Sequence, residues 1–168
     1  MLVDDRRTSR LAVLLAALTI ALCVHQPLGV EARTADRSES AIYTSELEYC
    51  VAETNQYRAS IGRPALIRSA VLEAYASAAA PHDTKARKAH HYFRKTSGGG
   101  VAFAENQIPG WPLPRFGSVR EIIRNGLAMM WAEGRGGGHY DNLAGRYTQV
   151  GCGVFVHSDQ VTVVQAFR

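Results

Sequence analysis

Several chemistries are missing from this chain. No apolar run reaches the ~20 residues that a membrane-spanning helix requires; the strongest, Leu11 to Val24, stops short of that. Gly98-Gly99-Gly100 is followed by no Gly-Lys-Ser/Thr, which excludes a phosphate-binding loop. There is no Gly-x-Ser-x-Gly elbow and no His-Glu-x-x-His helix, so two common hydrolase arrangements are absent. No internal repeat or low-complexity tract is visible. The net charge is only +4, too mild to indicate a nucleic-acid partner. Cysteine is scarce: of the three, Cys23 lies in the N-terminal apolar run, which leaves Cys50 and Cys152 for the folded part.

What is present begins with an export signal. Arg6, Arg7 and Arg10 precede the apolar run, and Val30-Glu31-Ala32 is a small-residue cleavage site. Residues 1–32 are expected to be a signal peptide cut after Ala32, an uncleaved anchor being the alternative. Residues 33–43 read as a flexible tail, and 44–168 as one domain with a modest core. The protein is thus expected to be secreted or periplasmic.

Ser45 and Glu48 have the spacing of a capping box. Behind them Leu47, Cys50, Val51, Thr54, Arg58 and Ile61 form one helical face, stopped by Gly62-Arg63-Pro64. A second, alanine-rich helix is predicted over Ser69 to Ala79, ended by Pro81, its small residues suited to close packing. The stretch 82–95 carries five Lys/Arg and three His. It reads as a solvated face, or as a surface for docking an anionic partner. Val101 to Ala104 reads as a short strand, and the proline-rich QIPGWPLPRFG as an ordered loop. Ser118 and Glu121 open a third helix with an apolar stripe of Val119, Ile122, Ile123, Gly126, Leu127, Met130 and Trp131. Glu133 extends that stripe, where burial would raise its pKa. Val150–Val156 and Val161–Phe167 form a hairpin. Helices around a few antiparallel strands imply an α/β sandwich. Cys50 and Cys152 both fall on inward faces, as either a disulfide or two buried thiols.

The order of pieces carries more than any one of them. Asn55-x-x-Arg58, Gly62-x-Pro64-x-Leu66, a histidine, Glu105-Asn106, Trp131 with Glu133, Gly138-His139-Tyr140 and Thr148-Gln149-Val150-Gly151-Cys152-Gly153 together resemble the CAP superfamily over residues 46–168. That group includes cysteine-rich secretory, antigen 5 and plant pathogenesis-related 1 proteins. The resemblance implies an α-β-α sandwich, with a small antiparallel sheet between helical layers and a cavity lined by two His and two Glu. Here these are Glu105, His139, Glu133 and either His90 or His91, with His90 preferred. Asn106, Tyr140 and Trp131 would support them. Glu133 departs from the family spacing, being Trp-x-Glu where Trp-x-x-Glu is usual. The glycine-filled spacer to His139 reads as a mobile connection. His82 and His157 match nothing in the family and read as surface residues.

Two imidazoles and two carboxylates can hold Zn²⁺ or a similar cation, run acid/base chemistry, or serve as a structural network. The leading expectation is a binding protein with a weak divalent-cation site, whose partner is a lipid, an anionic membrane surface or a cell-surface protein. A metal-dependent hydrolase and a structural envelope module are the alternatives.

Overall fold

The computed structural model describes residues 42–168. The signal segment, its cleavage site after Ala32 and most of the tail lie outside the described residues. Helix α1 (Thr44–Ser60) buries Leu47, Cys50, Val51, Thr54 and Arg58, as their spacing requires. Ile61, expected to end that face, is the exposed C-cap residue. The capping box does not form. Tyr43 is the N-cap, the Ser45 hydroxyl donates to Glu46 Oε2, and Glu48 is drawn into an ion pair with Arg68 at 2.8 Å.

The chain then turns at Gly62 into the two-residue strand β1 (Ile67–Arg68). The Asn55 amide fixes this return. Its Nδ2 donates to the Leu66 carbonyl at 3.0 Å, and its Oδ1 accepts the Leu66 N–H at 2.8 Å.

Helix α2 (Ala70–Ala86) is capped by Ser69 and runs through Pro81 instead of ending there. An interior proline costs a helix about 3 kcal/mol, so packing must supply the compensation. Ala76, Ala79, Ala80 and Asp83 are all buried, on both sides of Pro81. The helix backbone lies directly on two glycines of a strand. A Cβ on Gly151 would stand 2.2 Å from the Glu73 nitrogen, and one on Gly153 would stand 2.3 Å from the Ala76 carbonyl carbon. The small residues of α2 therefore do pack closely against a neighbour.

Short helix α3 (His91–Thr96) and a 3-10 turn (Ser97–Gly100) lead to strand β2 (Ala104–Pro112). The strand starts at Ala104, where the sequence suggested it would end, and continues through the segment read as a loop. Two features permit this. β2 is the sheet edge, so Pro109 lacks no partner it needs, and the register slips between Ile108 and Trp111, where Gly110 has φ +58°. One-turn α4 (Leu113–Phe116) follows. Helix α5 (Val119–Ala132) has the expected Ser118 cap, accepting from the Glu121 N–H, and buries Ile122, Ile123, Gly126, Leu127 and Met130. Helix α6 (Gly138–Leu143) and the hairpin of β3 (Gln149–His157) and β4 (Gln160–Phe167) complete the chain.

The sheet order is β1-β3-β4-β2. β2, β4 and β3 are antiparallel as expected, but β1 joins β3 in parallel, so the sheet is mixed. Alternation along the hairpin sends its residues to two cores. Cys152, Val154, Val161, Val163 and Phe167 meet α1, α5 and α6, whereas Val164 and Ala166 meet α2. This is an α-β-α sandwich. Cys50 of α1 and Cys152 of β3 form a disulfide across the first core. Among the described residues no helix is long and apolar enough to cross a membrane.

Candidate functional site

The first half of the site is built where α2 ends. Arg87 and His90 both take left-handed backbone (φ 50° and 59°), bending the chain sharply between α2 and α3. The Gln107 side chain secures the bend by accepting the His90 N–H at 2.7 Å. His90 Nδ1 then lies 2.8 Å from Glu105 Oε1. Glu105 sits on β2, paired with Ala166 of β4, and its side chain is only 1% exposed. Burial pushes its pKa up, with the His90 hydrogen bond opposing. Its Oε2 is buried without a hydrogen-bond partner.

The second half is built where α5 ends. Glu133 is the C-cap of α5, not a buried extension of its stripe, and its side chain is 35% exposed. Its Oε1 lies 2.5 Å from His139 Nδ1, and its Oε2 accepts the His139 N–H at 3.1 Å. Those bonds, led by the one from the ring, lower the Glu133 pKa, opposite to the buried-stripe expectation.

The glycine spacer forms a shaped turn. Gly136 needs φ +91°, and a Cβ on Gly137 would stand 2.4 Å from Glu133 Cβ. Asp141 closes the turn by accepting the Gly136 N–H at 3.2 Å. The shortened Trp-x-Glu spacing is thus matched by a short return that brings His139 back onto Glu133.

The two His–Glu pairs face each other across an open cleft of about 650 Å³, also lined by Phe93, Arg94 and Asn142. The imidazole centroids are 6.3 Å apart and their planes are inclined by 31°. In each ring Nδ1 is engaged by a carboxylate, and among the described residues Nε2 makes no hydrogen bond. A neutral ring donating from Nδ1 carries its lone pair on Nε2, where it can accept a hydrogen bond or meet a cation. The carboxylates differ in turn, Glu105 being raised by burial and Glu133 lowered by its partner.

Helix α6 carries His139, and the buried Asn106 and Arg58, with the partly buried Trp131, hold it. Asn106 donates to the His139 carbonyl at 3.2 Å and accepts from Asn142 Nδ2 at 2.9 Å. Arg58, 1% exposed, donates to the Leu143 and Gly145 carbonyls at 2.7 and 3.0 Å, satisfying the C-terminal end of α6. Trp131 stands between Tyr57 and Tyr140, at 5.1 and 4.6 Å. Tyr140 therefore packs under the site and does not line the cleft.

Gln107 and Asn142 escaped the sequence reading. Their only sequence signal is adjacency to Glu105-Asn106 and to His139-Tyr140. Asn106 also reaches Gln165 at 3.4 Å, and Gln165 donates to Thr54 at 2.7 Å, which ties the site through β4 to α1.

His91 is not in the cleft. Its ring packs 5.1 Å from that of His82, which also contacts Tyr92 and Asp83 and is not a free surface residue. His157 is exposed at the end of β3, next to the hairpin turn, a surface residue as expected. Lys85, Arg87, Lys88, Arg94 and Lys95 are all exposed.

A search of curated proteins finds no match to the chain. Among solved structures the fold is similar to Na-ASP-1, with TM-score 0.55 and 16% sequence identity over 71% of this chain. This chain spans 37% of that protein, so the likeness concerns the fold of one part of it. The profile of the Cysteine-rich secretory protein family, CAP, matches residues 51–167, which include both His–Glu pairs and the hairpin. The chain belongs to the CAP family.

Proposed function

We propose that this is an exported binding protein whose cleft holds a divalent cation between His90 and His139. The supporting observation is that in both rings Nδ1 meets a carboxylate while Nε2 makes no hydrogen bond among the described residues, the centroids lying 6.3 Å apart. Neutral imidazoles backed by carboxylates suit Zn²⁺ or a related ion. Glu105 and Glu133 then act behind the rings, as positioning groups. Two protein nitrogens in an open cleft leave coordination positions for water or for an oxygen of the bound partner, so affinity for the cation alone is weak. A lipid or cell-surface partner supplies that oxygen. An anionic membrane surface is approached through the exposed Lys85, Arg87 and Lys88. The disulfide is consistent with an oxidising, extracytoplasmic location.

Zn²⁺ calorimetry tests the reading. The His90→Gln/His139→Gln variant should lose one equivalent of Zn²⁺, whereas His157→Ala should titrate like wild type. If the cleft variant titrates unchanged, the cluster is a structural network of the envelope-module kind.

The opposed pKa shifts of Glu105 and Glu133 favour a second reading, a metal-dependent hydrolase. In that case Glu105→Gln should abolish ester or peptide hydrolysis while Zn²⁺ binding persists.

A further inference from the structure

Asp83 lies near the end of α2, and its side chain has no solvent exposure. Aspartate is almost never fully buried unless it is paired. Its Oδ1 accepts the Tyr92 N–H at 2.7 Å and stands 3.4 Å from His82 Nδ1. Its Oδ2 is buried and has no hydrogen-bond partner among the described residues. No lysine or arginine among them forms an ion pair with Asp83, although Arg87 and Lys88 line the same 370 Å³ cavity. His91 repeats the anomaly, since its Nδ1 is also buried and unpartnered. Its ring lies 5.1 Å from that of His82, inclined by 38°. One donor atom from each of His82, Asp83 and His91 lies within 4.8 Å of the others.

A carboxylate oxygen and an imidazole nitrogen, both desolvated and both lacking a donor, share one remedy: a cation between them. We propose that His82, Asp83 and His91 form a second divalent-cation site of the Zn²⁺ class, separate from the His90–His139 cleft. Two imidazoles and one carboxylate, with a further position open to water, are a ligand set Zn²⁺ accepts. Bonds of ~2.0–2.1 Å place tetrahedral ligand atoms about 3.4 Å apart. The three donors therefore need to draw together by about 1.4 Å at most from their present limit. His82 and His91 are both partly exposed, and His91 begins α3 directly after the bend, so their rings have room to adjust. A cation here would tie α3 to α2 across the 87–90 bend, the segment from which His90 reaches Glu105.

The experiment is metal analysis and Zn²⁺ calorimetry on untagged mature protein, stripped with chelator and held at one neutral pH, with Co²⁺ absorption reporting ligand geometry. The His90→Gln/His139→Gln variant should retain one equivalent of Zn²⁺. Adding His82→Gln and His91→Gln should remove it, together with the remaining Co²⁺ ligand-field band. Asp83→Asn in the same background should lose at least tenfold in Zn²⁺ affinity, and the single His82→Gln, at a partly exposed ring, does so without risk to the core. Retention of that equivalent after the His82 and His91 changes would overturn the proposal, as would its absence from the His90/His139 variant with an unchanged melting temperature. Failure of the cleft reading looks different. The wild type would then bind one ion, and losing His90 and His139 would not affect it.

Discussion

His90 and His91 are consecutive in the chain, yet their rings join separate clusters: His90 meets Glu105 at 2.8 Å, and the His91 ring lies 5.1 Å from that of His82, tilted against it. The left-handed backbone of His90 turns one ring toward β2 and the next toward α2. A single backbone conformation divides the histidines of the basic stretch between two side-chain clusters.

Glu105→Gln should stabilise metal-free protein at neutral pH. Burial raises the Glu105 pKa, so the folded state favours its protonated form. Its contribution is therefore best below the unfolded carboxyl pKa, ~4.3, and is lost as pH rises through the higher folded value. Glutamine keeps the neutral form at every pH. Melting curves in chelator should show the variant gaining over wild type between acid and neutral pH; a constant difference would contradict this assignment.

Glu133→Gln should behave in the opposite sense. The lowered pKa means that the carboxylate contributes above the unfolded value and that this contribution is lost as pH falls through the folded one. The group is largely solvent-screened, so the effect on melting temperature is small at pH 7 and disappears in acid. A deficit that grows in acid would exclude the His139 hydrogen bond as its cause.

Cys50 and Cys152 are 102 positions apart. Replacing both with alanine should lower the unfolding free energy by about 2–4 kcal/mol in urea titrations. Thiol titration of denatured, unreduced protein should find no free thiol at either position.

Gly153→Ala should destabilise by more than Gly110→Ala despite the positive φ of Gly110. The added methyl at 153 meets the Ala76 and Ser77 backbone at 2.3 Å, which cannot move aside as a side chain can. A loss of about 1–3 kcal/mol or more is expected for such overpacking. Normal stability of the variant in urea would mean that α2 does not lie on β3 as described.

Replacing Lys85, Arg87 and Lys88 with glutamine should weaken binding to anionic vesicles and leave the melting temperature nearly unchanged, because all three are exposed. Wild-type binding should fall with added salt, since exposed charges are screened within ~8 Å at physiological ionic strength. Equal binding to neutral and anionic vesicles would remove this face from consideration.

Local chemistry was legible wherever one element decides it. The apolar period of α5, its Ser118 cap, the β3–β4 hairpin and the buried face of α1 follow from residue type and spacing alone, because each is a property of a few neighbouring residues. The set Glu105, His139, Glu133 and one of two histidines was legible from motif order. What the tertiary structure decided depends on groups distant in sequence. Pro81 stays inside α2 because the helix packs on Gly151 and Gly153. Pro109 stays in β2 because that strand is the edge of the sheet. Glu48 leaves its cap for Arg68. Whether a ring gives Nδ1 to a carboxylate, and which of His90 and His91 faces the cleft, follows from two backbone angles and from Gln107 holding the bend. None of these carries a sequence signal, since the competing partners become neighbours only when the chain has folded.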